Sequence, residues 1–173
     1  MKTSSVFTAP LEPNHRDRVA EILRSTENFR DDEIDVALEL FDGSFAGEDY
    51  HVVGAFAGDG RPRLIGFACY GPTMGTDRTY DLYWIAVDRN AQGSGCGTVL
   101  LSAVERRLEA LHARMLVIET SSRSDYTATR GFYLNRGYVE AARVREFYAP
   151  EDDRIILTKR LTGSPRQGWG AVA

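Results

Sequence analysis

The stretch Gln92-Gly93-Ser94-Gly95-Cys96-Gly97-Thr98 limits what this chain can become more than any other. Three glycines in five residues weaken a helix start, because glycine loses the most backbone freedom on folding. A helical pattern nevertheless begins at once, with Val99, Leu100 and Leu101. Before the glycines, Leu82, Trp84, Ile85, Ala86 and Val87 form an apolar and aromatic run of strand length, broken by Asp88-Arg89-Asn90. A strand feeding a glycine loop that opens a helix is a place to bind phosphate. Glycine lets the backbone come close to the anion, several N–H groups point outward together, and the helix dipole adds partial positive charge.

The other elements take their places around this one. Residues 5–9 read as a short first strand, and Pro10 and Pro13 mark a turn with Asn14 as a helix N-cap. Val19, Ile22 and Leu23 give one apolar stripe on a helix ending near Ser25. A second helix is predicted over 31–41, with Asp31, Asp32, Glu33 and Asp35 crowded at its start. Acids there either complement the helix dipole or attract a cationic acceptor. Strands are predicted over 50–57, 64–70 and 79–87, the first two joined as a hairpin through Gly58-Asp59-Gly60. The helix after the glycines extends to about His112, and the apolar run 114–120 is a buried strand. A strand, a long helix and another apolar strand make a crossover, so 79–87 and 114–120 are predicted to be parallel. A short helix over 126–136 stops at Gly137, and strands over 138–148 and 154–161 follow. The reading is one α/β (α+β) domain over 1–161, with a flexible tail over 162–173.

Composition removes several classes of function. A net charge of −4 argues against a nucleic-acid partner, which would meet a basic face. Cys69 and Cys96 lie in different elements and build neither a disulfide framework nor a CxxC site. His15, His51 and His112 are scattered without ligand spacing, so no metal is expected. The N-terminus lacks the apolar core of a signal peptide and no apolar run reaches membrane-spanning length, so the expectation is a cytoplasmic protein with no membrane partner.

Two familiar phosphate loops fail on this stretch. No lysine follows the glycines, which excludes GxxxxGK[ST], and GxGxxG meets Thr98 or Leu100 at its third glycine. Gln92 to Gly97 instead matches [Q/R]xxGx[G/A], and Phe132-Tyr133-Leu134-Asn135-Arg136-Gly137-Tyr138 matches [F/L]YxxxG[F/Y]. Together with the order of elements over roughly residues 5–161, these motifs resemble the GNAT superfamily of N-acetyltransferases.

The resemblance implies a GNAT-like acyl-CoA N-acyltransferase fold, with a mixed and largely antiparallel central sheet flanked by helices. It implies acetyl-CoA as donor and an amine acceptor, read here as a small molecule. Gln92, Gly93, Ser94, Gly95, Cys96, Gly97 and Thr98 would hold the CoA pyrophosphate. Backbone groups of Ile85, Ala86 and Val87 would meet the thioester and pantetheine, and Tyr133 would protonate the leaving thiolate. Asp81 and Glu119 are the candidates for taking the proton of the amine. An ordinary aspartate pKa of about 3.9 means that burial or a water relay must help. Strand alternation, if no bulge intervenes, sets Asp81, Tyr83 and Ile85 on one face. Tyr126 and Thr129 stand where relatives often carry Asn and Ala, leaving Ser122, Ser124 or Thr129 open as replacements for that asparagine. Phe29, Tyr70, Tyr83, Phe147 and Tyr148 are candidates for an aromatic acceptor pocket. The alternative function is a GNAT-like module that binds acyl-CoA without catalysis. Many relatives dimerise, so a homodimer is also open.

Overall fold

The computed structural model describes residues 5–58 and 60–161; the tail predicted over 162–173 lies outside the described residues. Strands β1 (Phe7–Pro10), β2 (His51–Ala57), β3 (Arg63–Pro72), β4 (Thr79–Val87), β5 (Met115–Ser121), β6 (Val139–Ala149) and β7 (Asp152–Arg160) form one sheet. Its order is β1-β2-β3-β4-β5-β7-β6. Every neighbouring pair is antiparallel except β4 and β5, which run parallel as the crossover requires.

Helices cover both faces. Helix α1 (Arg16–Thr26) and helix α2 (Asp31–Ala46) bury Val19, Ile22, Leu23, Leu38 and Phe41 against Phe67 and Cys69 of β3. Helix α3 (Cys96–Ala110) buries Leu100, Leu101, Val104 and Leu108 against the opposite face, with Leu116, Ile118, Ile155 and Leu157. The short helix α4 (Thr127–Leu134) adds Tyr133 to that second core. None of the described helices is long and apolar enough to cross a membrane.

Two local expectations change. Asn14 is not an N-cap but lies inside a 3-10 turn, Pro13–His15, where the His15 Nδ1 accepts the Glu12 N–H at 2.9 Å. Helix α2 runs past Phe41 to Ala46. Gly43 is buried within it, where a Cβ would come within 2.8 Å of the Glu48 carboxylate, and Gly47 at φ +90° ends it.

The feature that creates a site is the short reach of the parallel pair. β4 and β5 are in register only from Thr79–Met115 to Leu82–Ile118, after which they part. β4 stays paired with β3 as far as Val87. Between the pairs Tyr70–Leu82 and Cys69–Trp84 the register slips, leaving Tyr83 as an extra residue on β4. Such a bulge sharpens the local twist and turns a strand away from its neighbour. It also breaks the simple alternation expected for Asp81, Tyr83 and Ile85.

Gly66 fixes how closely α3 approaches this strand. A Cβ there would sit 2.8 Å from Cys96 Sγ and 2.9 Å from the Ala86 carbonyl oxygen. Gly66→Ala is expected to destabilise the protein by about 1–3 kcal/mol through overpacking. Thermal unfolding checks this, and an unchanged midpoint would mean that the helix can slide away without cost.

Candidate active site

The glycine loop ends as a helix cap. Gly95 caps α3 with φ +84° and Gly93 has φ +77°, conformations that side chains with a Cβ rarely adopt. A Cβ at either position would meet nothing within 4 Å, so backbone conformation rather than space demands glycine. Gly97 differs, since a Cβ there would lie 3.5 Å from the Phe132 ring and narrow the groove beside it. Val99 N–H bonds back to the Gly95 carbonyl at 3.0 Å. The amides of Cys96, Gly97 and Thr98 precede it in the first turn and have no intrahelical acceptor.

Not every residue of the motif faces outward. Ser94 turns in on the loop, its N–H and hydroxyl both reaching the Ala91 carbonyl at 3.3 and 2.6 Å. Cys96 offers its N–H alone, because its thiol is buried in the core and desolvation pushes its pKa up to about 11. Arg136, not singled out by the sequence, supplies a cation. Its guanidinium lies 3.8 Å from the centre of the Phe132 ring and donates to Thr98 Oγ1. The i, i+4 spacing from Phe132 on the helical turn was the available signal. These groups line a groove of about 780 Å³ that also takes in Gln92 and the end of β4.

The hydrogen bond from Asp88 N–H to the Ile65 carbonyl, 2.8 Å, fixes the orientation of β4. Alternate residues of an antiparallel strand bond to the same neighbour, so Ala86 also faces β3. Ile85 and Val87 therefore aim their N–H and C=O groups at the gap that β5 has left. Ala86 contributes a buried side chain. Tyr133 closes the gap from α4. It is only 3% exposed, and burial raises its pKa.

Beyond the gap lies a second cavity of about 420 Å³, with aromatic walls from Phe29, Tyr83, Trp84 and Tyr148. Asp81 lines it and accepts the Thr73 hydroxyl at 2.7 Å. Glu119 lines it too, but is ion-paired with Arg154. Two of the expected aromatics are elsewhere. Tyr70 packs on His51 with ring centres 5.3 Å apart, and Phe147 is half exposed beneath Arg154. Of the three candidates to replace the asparagine, Thr129 alone lines both cavities; Ser122 Oγ is taken up by the Asp153 N–H at 2.7 Å. Tyr126 lies across the junction, its hydroxyl donating to the Asn28 carbonyl at 3.2 Å. The two cavities share Asn28, Phe29, Ile85, Tyr126, Thr129 and Tyr133, and so open into each other at the parting of β4 and β5.

This arrangement can be compared with known proteins. The model of the acetyltransferase (GNAT) family matches residues 16–138. The chain belongs to the GNAT family.

A GNAT-family protein from Desulfovibrio desulfuricans has 37% identity and a TM-score of 0.85, over 91% of this chain and 99% of its own. The ribosomal-protein-S18-alanine N-acetyltransferase of Escherichia coli is 21% identical, with a TM-score of 0.76 over 96% of this chain and 100% of its own. The Salmonella typhimurium protein yncA, whose structure holds acetyl-CoA, is 16% identical with a TM-score of 0.73, over 98% and 100% of the two chains. At these lower identities the likeness is one of GNAT fold. No curated protein matches the chain. Among the described residues no group of three or more His, Cys, Asp or Glu is gathered as a metal site.

Both cysteines should behave as core residues of this GNAT domain. Burial pushes the Cys69 thiol up to about 12 and Cys96 to about 11, so both stay protonated at pH 8. Ellman's reagent at pH 8 should find no fast thiol in the native protein and two after denaturation. One fast equivalent before unfolding would turn Cys96 toward the groove.

Proposed function

We propose that this chain transfers an acetyl group from acetyl-CoA directly to the primary amine of a small molecule. The observation that carries this reading is the shared wall at Ile85 and Tyr133, where an anion-binding groove meets an acidic, aromatic cavity. The groove suits CoA. Free amides at the start of α3 and the cation of Arg136 suit the pyrophosphate, and the unpaired N–H groups of Ile85 and Val87 suit the amides and thioester. The second cavity, bounded on several sides, favours a small acceptor over an extended protein tail.

Acetyl-CoA supplies the activated acetyl group, and the reaction balances as R–NH3+ + CH3CO–S–CoA → R–NH–COCH3 + HS–CoA + H+. The chain's own residues have three tasks. Asp81 takes the proton from the acceptor ammonium, directly or through water, so that the nitrogen lone pair is free. It is better suited than Glu119, whose charge is engaged by Arg154. The N–H groups of Ile85 and Val87 stabilise negative charge developing on the carbonyl oxygen. Tyr133 gives its hydroxyl proton to the departing sulfur as the C–S bond breaks, and is reprotonated by the proton that the nitrogen sheds on becoming an amide. Burial holds that hydroxyl protonated at neutral pH, the state required of an acid.

Tyr133→Phe is expected to lower kcat about 100-fold, the usual range for loss of a general acid, while KM for acetyl-CoA changes by less than about three-fold. Equal turnover would remove Tyr133 from the chemistry. Gly95→Glu sets a carboxylate at the mouth of the anion site and should abolish CoA binding in calorimetry. Gly95→Ala carries the backbone strain without the charge and should retain more affinity; undiminished binding by Gly95→Glu would sink the loop assignment.

A further inference from the structure

A third cavity, of about 620 Å³, shares no lining residue with the two that form the candidate site. It sits where β1 stops. β1 pairs with β2 only as far as Pro10–Val53, so His51 and Val52 border the cavity with no strand on that side. Helix α3 supplies another wall through Ala103, Arg106 and Arg107. Ala103 lies one turn before both arginines, so a small side chain stands beneath two long ones.

The charge of this cavity is one-sided. The chain has 25 acids against 21 lysines and arginines, yet no Asp or Glu among the described residues lines it. Neither Arg106 nor Arg107 is ion-paired among the described residues. The Tyr70 phenol, whose pKa burial raises, feels the Arg107 charge in the opposite direction, which places that guanidinium near the wall made by Tyr70 and His51. His51 is exposed above the buried Tyr70 ring, and Phe45, 40% exposed, adds a second ring to the lining.

Two guanidiniums on adjacent residues repel each other until an anion lies between them. A phosphate monoester carries about −1.5 to −2 at pH 7, which matches the pair, and its terminal oxygens can accept from both forks. A monocarboxylate would leave one guanidinium unmatched. The cavity volume falls within the roughly 300–1,000 Å³ usual for small organic ligands. We infer that this cavity binds a small phosphate monoester carried on an aromatic ring, with Arg106 and Arg107 on the phosphate and His51 and Phe45 against the ring. The site is separate from the donor and acceptor cavities and goes beyond the acetyltransferase reading.

Calorimetry tests it on the full chain with saturating CoA, which occupies the glycine loop, in about 0.15 M salt to screen loose pairing. Phenyl phosphate should bind at least about ten-fold more tightly than inorganic phosphate, which lacks the ring, and than benzoate, which carries a single charge. The double variant Arg106→Gln, Arg107→Gln should bind phenyl phosphate at least about ten-fold more weakly. Both positions are exposed and glutamine suits a helix, so its thermal midpoint and CoA affinity should stay at native values. Absence of phenyl phosphate binding by the native protein overturns the inference, as does equal binding of either control, whether or not the variant folds. So does undiminished binding by the folded double variant. Failure of CoA to bind would instead sink the assignment of the glycine loop, and the loss of phenyl phosphate in the double variant would still decide this inference.

Discussion

Everything that makes this sheet a site follows from hydrogen bonds that β4 and β5 do not make. Four residues of parallel pairing hold the two strands together, and the bulge at Tyr83 then turns β4 aside. Backbone N–H and C=O groups inside a protein need partners. A strand edge opened this way is stable only with water or a ligand against it. The cost is offset on the other side, where β4 remains paired with β3 as far as Val87 and α1, α2 and α3 clamp both faces. The opening is thus a rigid wedge held between two cores, which is what a reaction demanding fixed geometry needs.

The glycine loop is placed by the same device. Because β4 leads straight into the loop, the strand that presents Ile85 and Val87 also sets the position of the first turn of α3. In the proposed reading, the phosphate end and the thioester end of the donor would be held by one continuous stretch, with their separation built into the covalent chain. Arg136 reaches the loop from the other side of the wedge and ties α4 to Thr98. The groove consequently has walls from two segments far apart in sequence.

Local features were legible in the chain and non-local ones were not. The strand over 79–87 is legible to the residue, because the turn before Thr79 and the break at Asp88 are both spelled out by residue type. The end of helix α2 is not legible, because Gly43 looks like a stop and only its packing against Glu48 and Tyr50 makes it tolerable. The bulge at Tyr83 depends on register with β3, which no single strand encodes. Asp152 reads as an ordinary turn acid between Glu151 and Asp153 until the fold sets it against Ser121 and Ser122. Residue type alone points Tyr70 and Phe147 to the cavity, whereas strand parity and the exposed edge of β6 send them elsewhere.

The bond between Tyr126 and Asn28 joins residues 98 positions apart and arches over the place where the two cavities meet. Under the acetyltransferase reading proposed above, this bond would stand between the two substrates, with the donor approaching from the cavity beside the glycine loop and the acceptor from the cavity beside Asp81.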